Sequence, residues 1–220
     1  MTGLVDFEAW ASLAGDSPTS QTEWAAVVAL WSEPHRRYHD LAHLAAVLAI
    51  VGMLEGAAAD PDAVRLAAWY HDVAYDPERS DNEEISAGRA RVGLRGLVPD
   101  ERVDEVERLV LLTAGHDPEA GDANGAVLCD ADLAVLAGPP DAYVAYASAV
   151  RAEYGHLSDE EFTAGRIVVL EHLLALPALF RTPEAARQWA EPARANLTAE
   201  LTLLSRREAS GPATPPPAAG

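Results

Sequence analysis

"AAWYHDVAYD", residues 67–76, decides how the chain is read. It sets His71 and Asp72 side by side near the C-terminal end of an apolar helix. Neighbouring helical residues point about 100° apart, so both side chains reach an ion lying over the helix shoulder. A neutral imidazole and a hard carboxylate oxygen together suit a divalent ion. Alone, such a pair also fits an ordinary helix end, so the surrounding segments must carry the argument.

"RRYHDLAHLAAVL", residues 36–48, supplies a second pair. His39 and His43 stand four apart and share one helix face. "CDADLAVL", residues 129–136, sets Asp130 and Asp132 in an apolar helix. Carboxylates there are costly unless they cap, pair or bind metal. Read by themselves, the two fit metal ligands or, equally, a capping Asp130 at a helix start with Asp132 exposed.

The rest of the chain reads as successive helices. Expected elements are Asp6 to Ala14, a second helix capped by Ser20 to about Ser32, and a third from Asp40 through about Leu54. Asp60 with Pro61 is a strong start signal for the helix carrying His71. Further helices run from Asp81 to about Leu97, from Pro99 to about Ala114, and through "AVLCDADLAVLA", after the polar loop "GHDPEAGDANG". "DAYVAYASAVRAEYG" and "SDEEFTAGRIVVLEHLLAL" are amphipathic, the first with Tyr143, Tyr146, Ala147 and Val150 at helical spacing. Thr182-Pro183 opens the last helix, which Pro192 kinks or splits. The reading is an all-α fold in one domain over residues 1–206, with a disordered Pro/Ala/Gly-rich tail over 207–220.

Hydrophobic residues make up 49% of the 220, led by alanine and leucine, enough for a real core. A net charge of -19 repels nucleic-acid backbones and anionic membranes, so neither is an expected partner. The single cysteine, Cys129, excludes an internal disulfide framework and a cysteine-rich zinc module. Without a signal-like start or a spanning apolar run, a cytoplasmic protein is expected. "EYGH", residues 153–156, has the Glu-x-x-His spacing of di-iron bundles but lacks a second copy.

In order, these segments read H…HD…D on separate helices. From about Arg36 to Glu153 the chain resembles the HD superfamily of metal-dependent phosphohydrolases. "YHDLAH", "WYHDVAYDPERSDNEEISA", Cys129 to Leu133 and "RAEY" are similar to a bacterial family of predicted HD phosphohydrolases. The resemblance implies a compact HD-type helical bundle. It implies one divalent ion (Mn, Fe, Co, Zn, Ni or Mg) on His43, His71, Asp72 and Asp132, and it favours Asp132 over Asp130. "YHDLAH" is also similar to the opening motif of cyclic-nucleotide phosphodiesterases, in which the first histidine protonates the leaving oxygen. That role falls to His39, although Asp40 stands where those enzymes have asparagine.

"HDVAYDP" resembles the HD-x-x-E-D of guanosine-tetraphosphate hydrolases, making Asp76 a catalytic candidate, with Tyr75 in place of the glutamate. His116, with Asp130, is a candidate for a second metal or for phosphate. Arg36 and Arg37 are candidates for phosphate contact, or else surface arginines. Glu83 and Glu84 fit either supporting groups around the site or a helix-start cap. The implied activity is hydrolysis of a phosphate ester or anhydride of a small molecule such as a nucleotide. The alternative is a non-hydrolytic HD protein that binds a nucleotide and acts through a protein partner.

Overall fold

A computed structural model describes residues 2–209, and in it the chain winds through ten α-helices. These are α1 (Phe7–Ala14), α2 (Pro18–Trp31), α3 (Leu41–Leu54), α4 (Pro61–Tyr70) and α5 (Asn82–Leu94). They are followed by α6 (Asp100–Leu112), α7 (Ala123–Leu133), α8 (Pro140–Glu153), α9 (Asp159–Ala175) and α10 (Pro183–Ala209). Among the described residues there is no β-strand, and the fold is compact and all-α. No helix among them is long and apolar enough to cross a membrane.

Local chemistry starts most of these helices. Asp6, Ser17, Asp40, Asp60, Asp122 and Ser158 each accept a backbone N–H of the first turn. Ser158 and Glu161 form a reciprocal capping box. Ser17, not Ser20, caps α2, because Pro18 occupies the first helical position. Ser20 is buried and accepts the indole N–H of Trp10 at 2.9 Å. α5 stops at Leu94, short of the expected Leu97, and Gly96 follows with φ +75°. α10 continues through Pro192 as one helix. It also takes in residues 207–209, which the tail was expected to include; residues 210–220 lie outside the described residues.

α4 organises the core. Ala63, Val64, Leu66, Ala67, Ala68, Trp69 and Tyr70 are all buried, so only a narrow polar edge with Asp62 and Arg65 is left to solvent. It packs against α1, α3, α5, α6 and α7. Its three buried alanines, Ala63, Ala67 and Ala68, leave room for neighbouring helices to pack closely. Trp31 of α2 donates its indole N–H to the Trp69 carbonyl at 2.9 Å, which fixes the end of α4. Each large side chain buried here stabilises the fold by about 1.5–3 kcal/mol. One connected set of buried side chains extends from Trp10 to Leu204.

Asp130 belongs to this framework. It is fully buried in α7, and its two oxygens accept the N–H groups of Arg181 and Thr182, each at 2.7 Å, just before α10. Burial raises its pKa, with the two N–H groups acting in the opposite sense. The expected metal or phosphate role for Asp130 is therefore corrected: its oxygens cap a helix start 51 residues away. Asp130→Ala leaves both donors buried without an acceptor and should cost about 2–4 kcal/mol. Urea unfolding measures this, with metal content unchanged; a loss below ~1 kcal/mol contradicts the capping role.

Candidate metal centre

Three mutually packed helices, α3, α4 and α7, bring the expected ligands together. Asp40 accepts the N–H groups of Ala42 and His43, so α3 starts with His43 in its first turn. α4 ends at His71, whose Nδ1 lies 2.9 Å from the Ala68 carbonyl. That carbonyl only accepts, so Nδ1 donates to it and Nε2 is the ring atom that faces the cluster. Asp132 comes from the last turn of α7.

The donor atoms of His43, His71 and Asp132 lie within 4.8 Å of one another, a cluster able to hold a metal ion. The two Nε2 atoms are 3.2 Å apart. Asp132 Oδ1 lies 3.2 Å from His43 Nε2 and 3.6 Å from His71 Nε2. Atoms each about 2.1 Å from a shared ion stand about 3.0–3.4 Å apart at octahedral to tetrahedral angles. The trio fits that spacing. Asp72 flanks it, with Oδ2 3.2 Å from His71 Nε2 and 3.9 Å from His43 Nε2.

The charges of the cluster are strongly interdependent. Burial disfavours the charged form of every member. At His71 the Asp72 and Asp132 carboxylates outweigh burial and raise the pKa well above its ordinary value. At His43 burial prevails and lowers it. Burial pushes Asp72 and Asp132 up, yet the histidines around them hold both carboxyls well below the usual range. The side chains of His43 and His71 are only 4% and 1% exposed. Those of Asp72, Asp132, His39 and His116 keep 17%, 15%, 21% and 19%. The cluster therefore opens to solvent on the side these four residues rim.

His39 sits on that rim, its Nε2 4.0 Å from Asp72 Oδ2. Its Nδ1 is 2.7 Å from Glu153 Oε2, and Tyr75 stacks on its ring at 4.2 Å. Glu153 is the residue that sequence reasoning missed. Its side chain is wholly buried. Oε1 accepts the N–H groups of Arg37, Tyr38 and His39 at 2.8, 2.8 and 2.9 Å, and Oε2 accepts the Tyr75 hydroxyl at 2.8 Å. A signal existed: Glu153 continues the apolar stripe of Tyr143, Tyr146 and Val150, where a carboxylate must be buried. The di-iron spacing of "EYGH" has no counterpart in space, since Glu153 is buried and His156 exposed.

His116, at the unusual φ of +50°, joins the site through Nε2 at 2.7 Å from Asp132 Oδ2. Asp132 thus faces the trio with one oxygen and His116 with the other. Glu83 is half-buried at the start of α5, and Ser86 of that helix donates to the Ala74 carbonyl and accepts the Ala74 N–H beside the His-Asp turn. Burial and then the Asp72 charge raise the Glu83 pKa. Glu84 is exposed.

Two expectations need correction. Arg36 is buried, and its guanidinium makes five hydrogen bonds, to Glu33 and to the carbonyls of His39, Asp72 and Val73. Guanidinium has five N–H donors, so none is left for phosphate. Asp76 is exposed and accepts the N–H of Glu78, closing a turn and not reaching the cluster. Arg37 is exposed, and its guanidinium has no hydrogen bond or ion pair among the described residues. A surface groove of about 1180 Å³ between α8, α9 and α10 contains none of the cluster's residues.

Comparison with family models, with curated proteins and with solved structures finds no match to this chain.

Two outcomes follow from this geometry. A metal must displace the proton that the carboxylates hold on His71, so Mn²⁺ should bind more tightly as pH rises from about 6 to 8. Calorimetric titration reads this, and His71→Ala should abolish binding throughout; affinity that is flat with pH contradicts the ligand set. For Glu153, burial acts to raise the pKa, but the His39 hydrogen bond and charge, with the backbone donors, lower it from 4.5 to about 2. Its stabilisation, about 3 kcal/mol, is complete above pH ~4.5 and fades as pH falls toward 2. Glu153→Gln should lose most of it at pH 7. The gap to wild type in urea midpoints should narrow by pH 3.

Proposed function

We propose that the chain is a metal-dependent phosphohydrolase of the HD type. The observation that carries this reading is the convergence of His43, His71 and Asp132 within 4.8 Å, with Asp72 and His39 on the open side. His43, His71 and Asp132, flanked by Asp72, would hold a divalent ion, with Mn, Fe, Co, Zn, Ni and Mg all compatible with two imidazoles and carboxylate oxygens. Such an ion supplies Lewis acidity toward a phosphoryl oxygen and makes water acidic enough to deprotonate near neutral pH.

The chain's own residues supply orientation and a proton. The Glu153 carboxylate takes the Nδ1–H of His39, so Nε2, on the side of Asp72, is the atom that gives a proton to a leaving alkoxide. Tyr75, stacked on His39 and hydrogen-bonded to the same carboxylate, limits rotation of that ring. His116 holds the outer oxygen of Asp132, which keeps the inner one on the trio. The substrate is a small phosphate ester or anhydride, such as a nucleotide.

His39→Ala should retain metal and lose about 10²–10⁴-fold in kcat on an alkyl phosphate ester. The loss should be much smaller on a nitrophenyl ester, whose oxygen leaves without a proton. Metal analysis and paired rates test this. Loss of metal would make His39 a ligand, and equal slowing of both esters would remove its role as the acid.

A further inference from the structure

The charges around the opening restrict what can enter. We infer that this site acts on substrates carrying a single phosphoryl group, a phosphomonoester or phosphodiester, and discriminates against di- and triphosphates. The inference rests on the hydrolytic reading above and narrows its substrate class.

A site for polyphosphates needs several cations, one or more for each added charge. This chain has no lysine; its 16 basic residues other than histidine are all arginine. Arg36, on the segment leading to His39, has every donor engaged by Glu33 and backbone carbonyls. Among the described residues no arginine hydrogen-bonds or pairs with the carboxylate of Asp72 or of Asp132, whose ion-pair partners there are all histidines. Arg37 is the one arginine of that segment without a partner, and it is exposed.

The acidic side is heavier. A divalent ion offsets Asp72 and Asp132. Glu153 is matched by its five donors. Glu83 remains, half-buried, with no cation bonded to it, on a helix anchored to the turn that carries Asp72. Of the four residues that rim the opening, His116 and His39 are the basic ones, and each already faces a carboxylate. One phosphoryl group meets the ion and His39. Each further phosphate adds negative charge to a neighbourhood where the Glu83 carboxyl already feels the charge of Asp72, at roughly tenfold or more per charge in a partly buried setting.

The test uses the full chain loaded with Mn²⁺. We expect kcat/KM for adenosine monophosphate or bis-nitrophenyl phosphate to exceed that for adenosine triphosphate by at least ~10-fold. Calorimetry at saturating Mn²⁺ should show orthophosphate binding at least as tightly as pyrophosphate. Glu83→Gln should shrink both differences severalfold while metal content holds. Triphosphate turned over as fast as monophosphate, or a preference for triphosphate that Arg37→Ala removes, overturns the inference and leaves hydrolysis standing. Ratios unmoved by Glu83→Gln overturn it too. A metal-loaded chain that hydrolyses none of these compounds overturns the hydrolytic reading, and this inference falls with it.

Discussion

Residues 36–39 have no regular helix of their own, and two buried charges of opposite sign hold them in place. Glu153 takes the N–H groups of Arg37, Tyr38 and His39 from one side. Arg36 gives its donors to the carbonyls of His39, Asp72 and Val73 from the other. The same two side chains thereby join three distant parts of the chain: the segment before α3, the turn after α4 and the end of α8. A buried ion is tolerable when its hydrogen-bonding capacity is filled, and here backbone groups do most of that filling. Because the segment is pinned at its backbone, the His39 ring has one position relative to Asp72. Aromatic faces complete the enclosure, with the Arg36 guanidinium 5.3 Å from the Trp31 ring centroid and 5.5 Å from that of Tyr75.

Asp130 and Asp132 show how one helix serves both framework and site. Two residues along an α-helix turn the side chain by about 200°, so the pair faces nearly opposite ways. Asp130 points toward the start of α10 and ends on two N–H donors. Asp132 points toward α3 and α4 and ends among three histidines. The first carboxylate is satisfied by fixed dipoles. The second lies with Asp72 among imidazoles, a surplus of negative charge that a cation balances. Rigid packing of α3, α4 and α7 therefore sets the site's geometry, and the few groups with residual exposure set its access.

Local chemistry made the helices legible. Asp40, Asp60 and Ser158 cap because a short polar side chain reaches N–H groups two or three residues ahead. The apolar residues of α4, interrupted only by Arg65 after Asp62, mark a helix buried on most of its surface. His43, His71 and Asp132 were singled out by the resemblance of their ordered motifs to the HD superfamily, since each residue read alone fits a core or capping role as well as a ligand. Ser20 misled because a serine before an apolar run is also what a buried indole N–H requires.

The sequence by itself therefore determined an all-α chain, since helix starts and apolar faces follow from interactions spanning a few residues, and through its resemblance to a motif it pointed to the residues of a candidate metal cluster. Tertiary structure alone decided which charges are available. Arg36, next to Arg37 in sequence, is consumed by carbonyls 36 and 37 residues away, while Arg37 is left in solvent. Glu153 reaches His39 across 114 residues, and Asp130 reaches Thr182 across 52. Whether a charged side chain acts as clamp, cap or ligand depends on which backbone groups lie opposite it. That depends on how helices far apart in sequence pack, and spacing along the chain carries no record of it.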